Sequence, residues 1–153
     1  MKKSFLVFCI LVMGSGAAAW AVNEAAQDKT YSWRYKMIVT VDTPEGEISG
    51  SAVRQMGNNL TGSFIPEVGN PADVRGEAVV VDLGQRGVLF ALISHKSDLE
   101  FYDTFPVPSG SGGATPEGIK YYASLPVGTK GILKPGMPAG YPKLVTFTDM
   151  EDP

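Results

Sequence analysis

The chain has 153 residues, 13 basic and 16 acidic side chains, a net charge of −3 and a single cysteine. That length is enough for one domain with its own core. A lone cysteine excludes a disulfide framework or a thiolate metal cage, and an acidic balance with no basic cluster excludes nucleic acid and anionic membrane surfaces as partners.

Lys2 and Lys3 precede an uncharged run from Phe5 to Val22 that is strongly apolar from Phe5 to Met13. A short positive region, a short apolar region and then small residues are the marks of a secretory signal. Gly14, Ser15 and Gly16 break the apolar helix. The string Ala17-Ala18-Ala19-Trp20-Ala21 then offers the small side chains that a signal peptidase accepts, with Ala19 and Ala21 at its recognition positions. Residues 1–21 therefore read as a signal peptide, and the mature chain as periplasmic or secreted. The alternative is an uncleaved inner-membrane signal anchor, because Phe5 to Val22 falls only slightly short of the about 20 apolar residues a spanning helix needs. Cys9 lies inside the apolar run, which excludes a lipid anchor at that position. It leaves with the signal, so the mature chain has neither a cysteine nucleophile nor a thiolate ligand. Two lysines and no acid leave with it, which puts 11 basic against 16 acidic side chains in the mature chain.

Residues 22–30 are polar and aperiodic and read as a flexible lead-in. The fold is expected to begin at Tyr31. Tyr31, Trp33, Tyr35, Met37, Val39 and Val41 alternate with Ser32, Arg34, Lys36, Thr40 and Asp42, the pattern of one long, half-buried strand. Thr43-Pro44-Glu45-Gly46 carries turn chemistry, and Ile48 to Met56 returns as the partner strand. Small Gly50, Ser51 and Ala52 are expected to lie where Trp33 or Tyr35 crosses over them.

Residues 57–72 are rich in Gly, Asn and Pro and read as a loop with at most a short strand around Leu60 to Ile65. A second hairpin follows, with arms Gly76 to Leu83 and Val88 to Ile93 around Gly84-Gln85-Arg86-Gly87. Its second arm is apolar on both faces, as a strand covered on both sides would be. Lys96 to Tyr102 fits one or two helical turns with Ser97 as cap. Seven prolines and eight glycines between Phe105 and Pro142 exclude a long helix there. Short strands are expected around Lys120 to Ser124 and Gly131 to Lys134, and a firmer one over Leu144 to Thr148. The sum, over residues 31–153, is a single all-β or mainly β domain of the sandwich or open-barrel kind with at most one or two short helices. Only Asp149 to Pro153 follow the last strand, the pattern of a domain cut short at its C-terminus. Its open sheet edge would recruit a second copy.

Chemistry is sparse. His95 is the only histidine, and no Gly-x-Ser-x-Gly elbow accompanies it, so it reads as a loop residue at a strand end. Asp149, Glu151 and Asp152 offer oxygen ligands but lack the spacing of a calcium loop. Glu77, Asp82, Glu100 and Asp103 are candidates for a carboxylate pair of the kind glycoside hydrolysis uses. The aromatic stripe Tyr31, Trp33, Tyr35 reads as core ahead of a ligand platform. No catalytic, cofactor-binding or metal-ligating residues are assigned, and no cofactor is expected.

Three stretches, YSWRYKMIVTVDTPEGEISG from Tyr31, RGEAVVVDLGQRGVLFALI from Arg75 and YPKLVTFTDMEDP from Tyr141, resemble a family of small exported and lipoprotein-type proteins of alphaproteobacteria with no assigned activity. The resemblance implies location and kinship, and supplies no site residues. The functional expectation is an exported envelope protein that binds a partner protein or polymer, or assembles, without catalysis. The alternative is a hydrolase of envelope polymers working through His95 or a carboxylate pair. Small side chains at Ala19 and Ala21 set the mature N-terminus at Val22. Intact mass of the exported protein should show that start, and a membrane-bound species retaining Met1 would contradict it.

Overall fold

A computed structural model describes residues 7–14, as backbone only, and residues 30–59, 72–94 and 97–147. The elements in chain order are β1 (Val7–Gly14), β2 (Thr30–Thr43), β3 (Gly46–Asn59), β4 (Asp73–Gly76), β5 (Val79–Asp82), β6 (Val88–Ala91), α1 (Ser97–Thr104), α2 (Pro116–Ser124), β7 (Lys130–Leu133) and β8 (Leu144–Phe147). A single 3₁₀ turn, Gly84–Arg86, joins β5 to β6. They form two antiparallel sheets, one ordered β4-β3-β2-β1-β7 and the other β5-β6-β8. The domain is mainly β, as expected, and its sheets do not close into a barrel.

The β2–β3 hairpin is the frame. Thr43 pairs with Gly46 across a two-residue turn at Pro44 and Glu45, and the register runs unbroken to Thr30 opposite Asn59. The Thr43 hydroxyl donates to the Gly46 carbonyl at 2.7 Å and locks the turn. Alternation along β2 does what a period of two dictates. Trp33, Tyr35, Met37, Val39 and Val41 are buried, while Ser32, Arg34, Lys36 and Asp42 are not.

One face of this sheet is covered by two different layers. Over its middle lies the second sheet, which brings Val79, Val81, Leu89 and Ala91 into the core. Toward the Trp33 end lie α1 and α2. Phe101 of α1 is fully buried, with ring centroids 5.1 Å from Tyr35, Phe105 and Tyr122 and 5.7 Å from Trp33. Aromatic pairs at such separations add to the area they bury.

The structure corrects the expected register. Trp33 stands opposite Met56 and Tyr35 opposite Arg54, whereas Gly50, Ser51 and Ala52 stand opposite Val39, Ile38 and Met37. The small residues serve the second sheet instead. A Cβ on Gly50 would collide with the Val80 carbonyl oxygen of β5, so glycine there sets how closely β5 approaches β3.

The segment Lys120 to Ser124, expected as a strand, is the C-terminal half of α2. Pro116 opens that helix, the Thr115 hydroxyl accepts from Gly118 N–H at 3.1 Å, and Ile119 and Tyr122 are buried on its inner side. Proline at the first helical position with threonine as cap starts a helix rather than breaking one. Helix α1 matches expectation, although Ser97 caps nothing by its hydroxyl, which accepts from Ser94 N–H at 2.9 Å. Strand β4 was not expected. The expected strand at Leu60 to Ile65 and the lead-in before Thr30 lie outside the described residues.

Replacing Gly50 by Ala should force the Val80 backbone away from β3 and destabilise the fold by about 1–3 kcal/mol, the usual cost of overpacking. The control is Gly57→Ala, whose added Cβ would meet nothing nearer than 4.0 Å. Urea denaturation of the two variants checks this, and equal stabilities would contradict it.

Candidate functional site

The charged residues that the fold encloses converge on Arg54. It occupies the core row of β3 between Ala52 and Met56, opposite Tyr35 on β2 and Gly76 on β4. Gly76 has φ of +144°, and a Cβ there would press on the Val53 carbonyl and the Arg54 Cα, so this glycine lets β4 pass over the arginine. The guanidinium is fully buried. Its Nη2 donates to the Ala91 carbonyl of β6 at 2.9 Å, and its Nε donates to the Glu77 carbonyl at 3.4 Å. Its Nη1 faces Glu100 Oε2 of α1 at 3.6 Å, with the two side chains 0% and 2% exposed.

Burial dominates the chemistry of this cluster. It pushes the Glu100 carboxyl up from 4.5 to about 7, against the pull of Arg54 and with a small push from Asp98. It likewise raises the Tyr35 hydroxyl to about 12, opposed by Arg54. Nearby, burial raises Tyr102 to about 12 despite the hydrogen bond it accepts from Asn58 Nδ2 at 2.9 Å. A carboxyl near 7 has the proton affinity of a general acid. Here it is 1% exposed, enclosed between α1 and the sheet, with its Oε2 beyond hydrogen-bond reach of the Arg54 Nη1 it faces.

The carboxylates singled out in the sequence do not act together. Glu100 faces Arg54, and Asp103 of the same helix accepts from Ala139 N–H at 2.8 Å. Asp82 accepts from Gly84 N–H at 2.8 Å and shapes the β5–β6 turn, while Glu77 is exposed. His95 and the acidic group Asp149, Glu151 and Asp152 lie outside the described residues, as do Ala19 and Ala21. No group of His, Cys, Asp or Glu that could hold a metal occurs among the described residues. The aromatic stripe is core: Trp33 and Tyr35 are 6% and 1% exposed, and Tyr31 is half-buried.

A second feature lies on the outside. In the sheet β5-β6-β8, Val79, Val81, Leu89 and Ala91 point inward. Their neighbours Val80, Val88, Phe90, Val145 and Phe147 therefore share the outer face, with Val80 opposite Phe90 opposite Val145 and Val88 opposite Phe147. Val80 is 49% and Phe147 39% exposed. The Phe90 and Phe147 rings meet edge-on at 5.4 Å. The doubly apolar pattern of β6 foretold a strand covered on both sides. Its outer side chains Val88 and Phe90 are half-buried, and among the described residues β8 has no strand neighbour on its outer edge.

Comparison of the chain with protein-family models, curated proteins and solved structures found no match.

Because Glu100 keeps its proton to higher pH in the fold than in the unfolded chain, the folded state binds more protons between about pH 4.5 and 7. The stability this residue contributes is complete below about pH 4.5 and is lost as pH rises through about 7. Glu100→Gln should abolish that decline, so its stability between about pH 5 and about pH 8 should fall less than the parent's by more than about 1 kcal/mol. Parallel slopes in urea denaturation would contradict it.

Proposed function

We propose that this chain is an exported envelope protein that works as a non-catalytic binding and assembly module, and that it assembles with a second copy through the β8 edge. Export is supported by the Lys2-Lys3 start, the apolar run and the small residues Ala19 and Ala21. The resemblance to exported alphaproteobacterial proteins points the same way. The observation that carries assembly is the outer face of the second sheet, where exposed Val80 and Phe147 and half-buried Val88, Phe90 and Val145 share one side and β8 offers its outer edge. Contiguous apolar surface on an exported domain marks a place where another surface sits.

An antiparallel pairing of β8 with its own copy is self-complementary and closes as a two-fold dimer. It would turn two three-stranded sheets into one of six and bring the two Phe147 side chains to a common apolar surface. Hydrolysis by a carboxylate pair draws no support from the geometry, since Glu100, Asp103 and Asp82 each hold a structural contact.

Light scattering on the mature protein across a range of concentrations should show a dimer. Phe147→Lys should give a monomer with nearly unchanged thermal stability, because that side chain is partly exposed and outside the core. A parent that stays monomeric at high concentration would contradict the assembly mode.

A further inference from the structure

Strand β1 is the same stretch, VFCILVMG, that reads as the apolar part of the export signal. It does not lie at a margin. In the first sheet it sits between β2 and β7, with Val7 opposite Val41 through Gly14 opposite Arg34 on one side. On the other, Cys9 stands opposite Leu133 through Val12 opposite Lys130. Among the described residues, β2 and β7 share no ladder of their own and meet in the sheet through β1.

Cleavage after Ala21 would carry this strand away. Resting on the export reading above, we propose that the mature domain is a strand acceptor: the slot between β2 and β7 binds an extended, uncharged, apolar segment of another exported protein. The length of that segment follows from the eight residues of β2, Arg34 to Val41, that pair with β1. Its polarity follows from what lies alongside. Tyr35, Met37, Val39 and Val41 on β2 and Leu133 on β7 are at most 2% exposed with β1 in place. They are a core row that needs apolar neighbours on both flanks. Its composition follows from the segment that fills the slot in this structure, which has no charge and no proline.

Two bare ladders facing each other across one strand's width are the arrangement into which peptides add as strands. Main-chain hydrogen bonds to both sides then give affinity, and the apolar row gives selectivity. The same physics makes the leader an internal occupant before processing, and a partner's strand its replacement afterward. This surface is separate from the β8 edge, which belongs to the other sheet.

The test uses mature protein recovered after export, its N-terminus checked by intact mass, and a synthetic peptide carrying residues 7–14 with Cys9→Ser and flanking lysines for solubility. Isothermal titration should show one peptide bound per chain, with a raised melting temperature. Amide exchange should show new protection over residues 34–41 and 130–133. A peptide with Leu11→Asp should not bind. Absence of binding, with residues 34–41 already protected in the mature chain, would overturn the proposal by showing the slot filled by the chain itself or by a second copy. Equal binding of the Asp peptide would overturn it too. A mass that includes Met1 would overturn it by a separate route, since the export reading would then have failed and the slot would never open.

Discussion

A single buried cation holds the separate parts of this domain together. Arg54 stands in the core row of β3, yet its guanidinium reaches the Ala91 carbonyl on β6, the Glu77 carbonyl before β5 and the Glu100 carboxylate on α1. Three elements from beyond the hairpin are tied to it through one side chain. A charge taken out of water is costly unless its surroundings repay the lost hydration. The two backbone carbonyls do so in part, while Glu100 faces Nη1 at 3.6 Å without a hydrogen bond, and each comes from a piece of chain that must arrive in a defined place. The aromatic cluster around Phe101 then packs beside this point, and Tyr122 anchors α2 by donating its hydroxyl proton to the Phe105 carbonyl at 2.9 Å. Aromatic packing alone tolerates sliding, whereas a guanidinium with fixed acceptors does not.

The long hairpin was legible because its rule is simple. Six alternations in β2 and the Pro44-Glu45 turn point to a hairpin without fixing its register, and the β5–β6 hairpin declares itself the same way through β-branched arms around Gly84 to Gly87. The strand order, and the position of Gly50 beneath Val80, were not legible, because they depend on how two sheets meet. Helix α2 was obscured by the prolines and glycines around it, although Thr115-Pro116 followed by Ile119 and Tyr122 carries a start signal and an apolar spacing that weighed too little against them. Arg54 was hidden for a different reason. An arginine between Ala52 and Met56 looks like a polar position in a half-buried strand until Gly76 and Glu100 are seen around it.

The surfaces carry the functional argument, since the chemistry does not. The carboxylate with a perturbed proton affinity is enclosed, and of the other acids singled out in the sequence Asp82 and Asp103 each hold a backbone N–H. What remains distinctive is where the molecule leaves strands unfinished: the outer edge of β8 with its apolar face, and the place of β1 in the larger sheet. Strand β1 is built from the same apolar stretch that carries the marks of an export signal, so on the proposed reading its removal would change the state of the sheet. On that proposal the precursor carries its own complement, and the processed chain takes one from elsewhere. An export signal and a β-strand draw on the same apolar composition, which is why the sequence announced the first use and concealed the second.

The claim that Arg54 organises the domain is tested most directly by a double-mutant cycle with Glu100, followed by urea denaturation. Arg54→Leu should cost about 3–5 kcal/mol, because it leaves the Ala91 and Glu77 carbonyls without their donor and the buried Glu100 carboxyl without its counter-charge. Adding Glu100→Leu should restore a large part of that loss, since an apolar pair of similar bulk replaces the ion pair. Arg54→Leu within about 1 kcal/mol of the parent, or strictly additive effects at the two positions, would show that the sheets and helices hold together without it.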